Sequence, residues 1–157
     1  MQISDLLSPE RVRLDTGIAS KKRALELLSD ALASDDADGA SLTANLVFDA
    51  LSAREKLGST GLGHGVAIPH GRMAEIDHPR VALLRLHEGV DFDAIDHEPV
   101  DILIALIVPE ASTSEHLDLL AQLARSLSQP DNIAAIRRAA DATALYQAAT
   151  TAFRDAR

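Results

Sequence analysis

Between residues 100 and 108 the chain reads VDILIALIV, an almost unbroken apolar run closed by Pro109. A surface strand alternates apolar and polar side chains, so a run without alternation marks a strand covered on both faces. That predicts a sheet with helices on either side and Val100–Val108 at its centre. Val81–Leu86 reads as a second strand and Val66–Ile68 as a short one, and helical patterns separate them. Strands interleaved with helices predict an α/β fold, a single domain with a mixed β-sheet flanked by helices. A chain of 157 residues fits one domain and can bury about 70% of the surface its unfolded form exposes. Aromatics make up only 3% of it, so Leu, Ile, Val and Ala must fill the core.

The helix signals are local. Ser20 is placed to cap a helix carrying Ala24, Leu25, Leu27, Leu28, Ala31 and Leu32 at helical spacing. The acidic stretch Asp35, Asp36, Ala37, Asp38, Gly39 ends it. Ser41 then opens a second helix with the stripe Leu42, Leu46, Val47, Ala50 and Leu51, closed by Arg54 and Glu55. Ser112, Thr113 and Ser114 are candidate caps for a third, with Leu117, Leu120, Leu123, Ala124 and Leu127 as its apolar side. Pro130 at a first turn and Asp141 as a cap open two more, reaching about residues 139 and 153. No internal repeat, linker or low-complexity tract interrupts the pattern.

Charge and inventory exclude several functions. With 24 acidic against 15 basic side chains the formal net charge is −9, which repels a polyanion, so nucleic acid is not an expected partner. The absence of cysteine rules out disulfides, thiolate metal sites and thiol nucleophiles. No segment reaches 18 consecutive apolar residues, and the start, MQISDLLSPERV, lacks the basic region and apolar run of an export signal. Membrane insertion is not expected, and the expected location is cytoplasmic.

Chemistry concentrates in GSTGLGHGVAIPHGR, residues 58–72. Five of the eight glycines, Gly58, Gly61, Gly63, Gly65 and Gly71, lie within positions 58–71. Glycine so dense is costly to order and points to unusual backbone angles or close backbone approach. The segment matches neither the dinucleotide fingerprint nor the GxxxxGK[ST] phosphate loop. His70 stands between Pro69, which fixes one backbone angle, and Gly71, which has no side chain, so it is expected to be presented with little steric cover. A histidine beside a Pro-Gly turn is by default an exposed loop residue. An imidazole is also the natural acceptor for a phosphoryl group that must be passed on, being neutral and nucleophilic near physiological pH. That role needs the second ring nitrogen held as a donor, typically by a backbone carbonyl, and positive or N–H partners for the phosphoryl oxygens. Main-chain N–H groups of the glycine loop are candidates for the latter.

His116 falls in the first turn of the third helix, where the dipole favours anions and disfavours a charged imidazole; a neutral ring there can donate to a phosphoryl oxygen. Arg54, four residues before the glycine loop, can reach an anion bound beside it. Against these stand plainer roles, a surface histidine after a cap and an arginine complementing a helix dipole. His64, His78, His87 and His97 read as solvated. A zinc site from His64, His70 and His116 would lack the short ligand pairing of tight structural sites, and no metal is expected.

At these residues the chain resembles the enzyme IIA domains of the fructose and mannitol class of the bacterial phosphotransferase system (PTS). Their signature runs through a Gly-rich loop into A-[IV]-P-H-G, here GVAIPHG. The wider match takes in LLSPERV, SKKRALELL, ARE-LGSTGLGHGVAIPHGR, FDAIDHEPVDILIALIVPE and EHLDLLAQLA, and is similar to the nitrogen-regulatory, PtsN-type branch. The resemblance implies one enzyme IIA type-2 domain over residues 1–157 with a mannitol-specific enzyme IIA-like fold. It implies a phosphotransferase component, mainly regulatory and without cofactor. In it His70 accepts a phosphoryl group, at the tele nitrogen, from a phosphohistidine carrier of the HPr or NPr type, and phosphorylation state regulates target proteins. The matching positions for phosphoryl-stabilising residues are His116 and Arg54. Where many relatives have Asn in a GxGN sequence this chain has His64, an added donor or proton relay near the loop. No membrane or enzyme IIB domain is seen in the sequence, which favours regulation over transport. The alternatives are a sugar-specific enzyme IIA passing phosphate to an enzyme IIB, and a binding module that is never phosphorylated.

Overall fold

The computed structural model describes residues 2–15, 17–34 and 42–154. The apolar run becomes β6 (Val100–Pro109), and it is central as its composition requires. β6 pairs antiparallel with β5 (Arg80–Val90) on one edge, and β5 in turn pairs with β1 (Val12–Asp15) in parallel. The other edge of β6 is shared by two short parallel strands. β3 (Val66–Ala67) lies against Ile102 and Leu103, and β4 (His70–Met73) runs from Leu106 to Pro109. β2 (Gly61–Gly63) closes the path beyond β3, giving the order β1-β5-β6-β3-β2 with β4 beside β6.

Successive side chains of a strand point to opposite faces, so β6 feeds two cores at once. Leu103, Ala105 and Ile107 join the cluster beneath α1 (Lys21–Ala33) and α2 (Ala44–Glu55). Ile102, Ile104, Leu106 and Val108 join the cluster under α3 (Thr113–Leu127), α4 (Pro130–Arg138) and α5 (Ala142–Arg154). Every apolar residue of the run is fully buried. The result is the expected mixed sheet flanked by helices. Among the described residues no helix is long and apolar enough to cross a membrane.

Several local expectations hold in detail. Ser20 Oγ accepts the Arg23 N–H at 3.1 Å, and Asp141 Oδ1 accepts the Ala144 N–H at 2.8 Å. Others are corrected. Ser41 and the acidic stretch 35–39 lie outside the described residues. The side chain that caps α2 is Thr43, whose Oγ1 accepts the Leu46 N–H at 3.2 Å, and Leu46 itself is exposed. Ser112 is the N-terminal flanking residue of α3 but makes no side-chain cap bond.

The apolar phase of α3 differs from the expected one. Leu117 and Ala124 are exposed, and the inward arc is Leu119, Gln122, Leu123, Ser126 and Leu127. Two polar residues sit on that arc, which is why a search for apolar positions alone misplaces it. Gln122 is tolerated there because its side-chain carbonyl accepts the Ile3 N–H at 3.1 Å. Finally, residues 58–71 are not a loop around one strand. They supply β2, β3 and the start of β4, and His70 is the first residue of a strand.

Candidate functional site

His70 is placed by the break between β3 and β4. Both strands run alongside β6, but Pro69 between them has no N–H to offer the ladder. Its carbonyl still accepts the Leu106 N–H at 2.9 Å, so the chain stays on the sheet edge through the break. The turn leaves the Ile68 carbonyl 2.8 Å from His70 Nδ1. A carbonyl only accepts, so Nδ1 carries the proton and Nε2 keeps its lone pair.

The ring borders a cavity of about 660 Å³ that also touches Arg54, Leu57, Arg72, Glu110 and His116. His116, the fourth residue of α3, stands edge-on to His70, and its Nε2 is buried and makes no hydrogen bond among the described residues. Arg54, in the last turn of α2, donates from Nη1 to the Gly58 carbonyl at 2.8 Å. Thus α2, β4 and α3 each bring a nitrogen-bearing side chain to one space.

Burial favours the neutral form of both imidazoles. The pKa of His70 lies below the ordinary value chiefly because burial disfavours the charged ring. The Ile68 carbonyl opposes that shift, Arg54 adds to it, and Glu55 opposes it. His116 is lowered in the same direction by burial first, then by His70 and by Arg72.

All three residues singled out in the sequence, His70, His116 and Arg54, therefore face one cavity. Arg72 is a fourth that the sequence reading did not single out. It lies two residues after His70 on β4, and alternate residues of a strand share a face. Had the segment been read as a strand, that period would have found it.

The glycines have other duties than those expected. Gly71 does not bare His70: it is buried, and a Cβ there would come within 3.3 Å of the Ala50 carbonyl oxygen. Its lack of a side chain lets α2, and with it Arg54, lie close against β4, while His70 is half-buried. Gly61, Gly63 and Gly65 do not line the His70 cavity, so they form no main-chain cradle there. Gly65 has φ +82, and a Cβ there would collide with Arg137 Nη2, which pairs with Asp101 at 2.8 Å.

His64 also belongs elsewhere. Its backbone is left-handed, φ 58, a conformation Asn adopts more readily than most residues. Its N–H donates to Asp96 Oδ2 at 2.9 Å and its carbonyl accepts from Arg137 Nη2 at 2.7 Å. The side chain borders a different cavity, with Ser128 and Pro130, so the structure does not bring His64 together with His70 and His116. The rings of His78, His87 and His97 are exposed as expected.

A family model described as "Phosphoenolpyruvate-dependent sugar phosphotransferase system, EIIA 2" matches residues 5–150. A nitrogen regulatory protein of Pseudomonas aeruginosa is 44% identical over 147 residues, covering 94% of this chain and 94% of its own length. The crystal structure of nitrogen regulatory protein IIA-Ntr from Neisseria meningitidis superposes with a TM-score of 0.85 at 40% identity, covering 94% of this chain and 98% of that one. IIA mannitol from Escherichia coli, at 22% identity, shares the fold with a TM-score of 0.72 over 91% of this chain and 98% of its own.

Proposed function

The chain belongs to the EIIA 2 family of the phosphoenolpyruvate-dependent sugar phosphotransferase system, and from that premise we propose that it carries a phosphoryl group on His70 Nε2 and regulates other proteins by its phosphorylation state. The donor is a phosphohistidine on a phosphocarrier protein of the HPr or NPr type. The observation that carries this reading is the 2.8 Å contact from His70 Nδ1 to the Ile68 carbonyl, which commits the remaining nitrogen to be the nucleophile.

In the transfer, the Nε2 lone pair forms a new bond to phosphorus as the donor's P–N bond breaks, and that electron pair returns to the donor imidazole. The proton stays on Nδ1 throughout, donated to the Ile68 carbonyl. The three phosphoryl oxygens then face Arg54, Arg72 and His116, which supply positive charge and a neutral N–H in a partly desolvated space.

Phosphorylation places about −1.5 to −2 charge in this cavity, enough to reverse an interface built on its arginines. Likeness to nitrogen regulatory proteins over nearly the whole length of both chains supports regulation as the use of that charge. On this reading residues 1–157 form one enzyme IIA type-2 domain acting in the cytoplasm. The test is intact-mass measurement after incubation with phosphorylated carrier protein, with the label mapped by peptide. One phosphoryl group on His70 is expected; label that persists in His70→Ala would sink the assignment.

A further inference from the structure

Glu55, the last residue of α2, is an ionisable side chain buried at 8% exposure, outside the cavity that His70 borders. A carboxylate out of water is costly unless its oxygens are bonded. Both oxygens accept from Thr60, from the backbone N–H at 3.0 Å and from Oγ1 at 2.9 Å. Lys21 stands 3.6 Å away as a partial counter-charge, itself shared with Asp93 at 3.5 Å.

The contacts do not stop at Thr60. The Thr60 carbonyl accepts the Ile68 N–H at 3.0 Å, and the Ile68 carbonyl faces His70 Nδ1 at 2.8 Å. Thr60 and Ile68 are therefore each tied on both sides, and the series runs unbroken from a buried carboxylate to the imidazole. Ile68 needs that outside support because the next residue, Pro69, contributes no N–H to hold the break between β3 and β4.

We propose that Glu55 is a positioning residue, fixing through Thr60 and Ile68 the ring tautomer and pose of His70. This rests on the reading of His70 as the phosphoryl acceptor, and deepens it. The carboxylate never touches the phosphoryl group. Its work is to hold the turn 56–60 against α2, so that the Ile68 carbonyl stays where Nδ1–H can meet it and Nε2 is kept unprotonated.

The discriminating measurement is the pair of ¹⁵N ring resonances of His70 in the unphosphorylated protein, which report tautomer without any phosphotransfer. In Glu55→Ala, with folding checked by circular dichroism, the resonances are expected to move toward a mixture of tautomers, and phosphoryl acceptance to slow about tenfold or more. Glu55→Gln, which keeps an acceptor oxygen at the same reach, is expected to restore the wild-type ring signature and most of the rate. If the alanine variant does not fold, Glu55→Asp, one methylene short of Thr60, gives the same readout. Wild-type ring resonances in a folded Glu55→Ala or Glu55→Asp protein overturn the proposal, whatever the rate does. Failure of the carrier reading is a separate result: the wild-type protein takes up no label, while the tautomer shift in the Glu55 variants is still seen.

Discussion

The imidazole of His116 meets that of His70 edge-on, with 5.3 Å between ring centroids and 74° between ring planes. The rings come from α3 and β4, and burial holds both below the ordinary histidine pKa. Among the described residues His116 Nε2 is buried with no hydrogen bond, a state that costs about 1–3 kcal/mol for a polar group. An oxygen carried by the neighbouring ring would satisfy it. His116→Ala is therefore expected to slow phosphoryl acceptance by roughly 10²-fold, the scale for removing one donor to developing charge. Rapid-quench kinetics with phosphorylated carrier protein checks this; an unchanged rate would remove His116 from the reaction.

The two arginines act on different rings. Arg54 contributes to the lowered pKa of His70, and Arg72 to that of His116. Removing a nearby positive charge makes protonation easier, so Arg54→Ala should raise the His70 pKa and Arg72→Ala that of His116. An NMR titration of both rings in each variant tests the assignment, and a reversed pattern would refute it.

Acid should weaken both activity and fold. On the proposed function the acceptor is the neutral ring, and the folded pKa of His70 lies below 6.5, so acceptance should be flat through neutral pH and fall only once pH drops below that lowered value. For stability, the unfolded chain protonates His70 and His116 first as pH falls below about 6.5. It then binds more protons than the folded chain, so unfolding free energy decreases from there down to the folded pKa values and levels off beneath them. Urea unfolding across that range should show the slope in the wild type and less of it in the double variant His70→Ala, His116→Ala.

Two glycines of the same motif should separate by phenotype. Gly71→Ala presses a methyl group to 3.3 Å from the Ala50 carbonyl oxygen, so α2 must shift from β4 and carry Arg54 with it. Overpacking of this kind costs about 1–3 kcal/mol, and phosphoryl acceptance should fall as well. Gly65→Ala demands φ +82 of a residue with a Cβ and collides with Arg137, away from the His70 cavity. It should destabilise by a similar amount, about 1–3 kcal/mol, and leave the acceptance rate near wild type. Thermal denaturation paired with the labelling assay distinguishes them.

Legibility in the sequence followed how local each signal was. The uninterrupted apolar run of β6 marked its own place, because only a doubly covered strand is apolar on both sides. Ser20 and Asp141 were readable as caps, since a cap bonds within its own turn. The inward face of α3 is hidden from local reading because Gln122 and Ser126 hold core positions, and what makes Gln122 tolerable there is Ile3, at the far end of the chain. β4 is equally hidden, because four residues beginning at a Pro-His-Gly turn look like loop until β6 supplies their hydrogen bonds.

The candidate site divides along the same line. His70 with its flanking Pro69 and Gly71 is a property of contiguous sequence, written in residue types and order. Only the tertiary structure decided that Arg54, Arg72 and His116 open onto one cavity with it, that Gly71 serves the packing of α2, and that His64 faces elsewhere. Backbone spacing says what a residue can do within its own element; which elements press together is settled by two cores formed from opposite faces of one strand, and no local pattern records that.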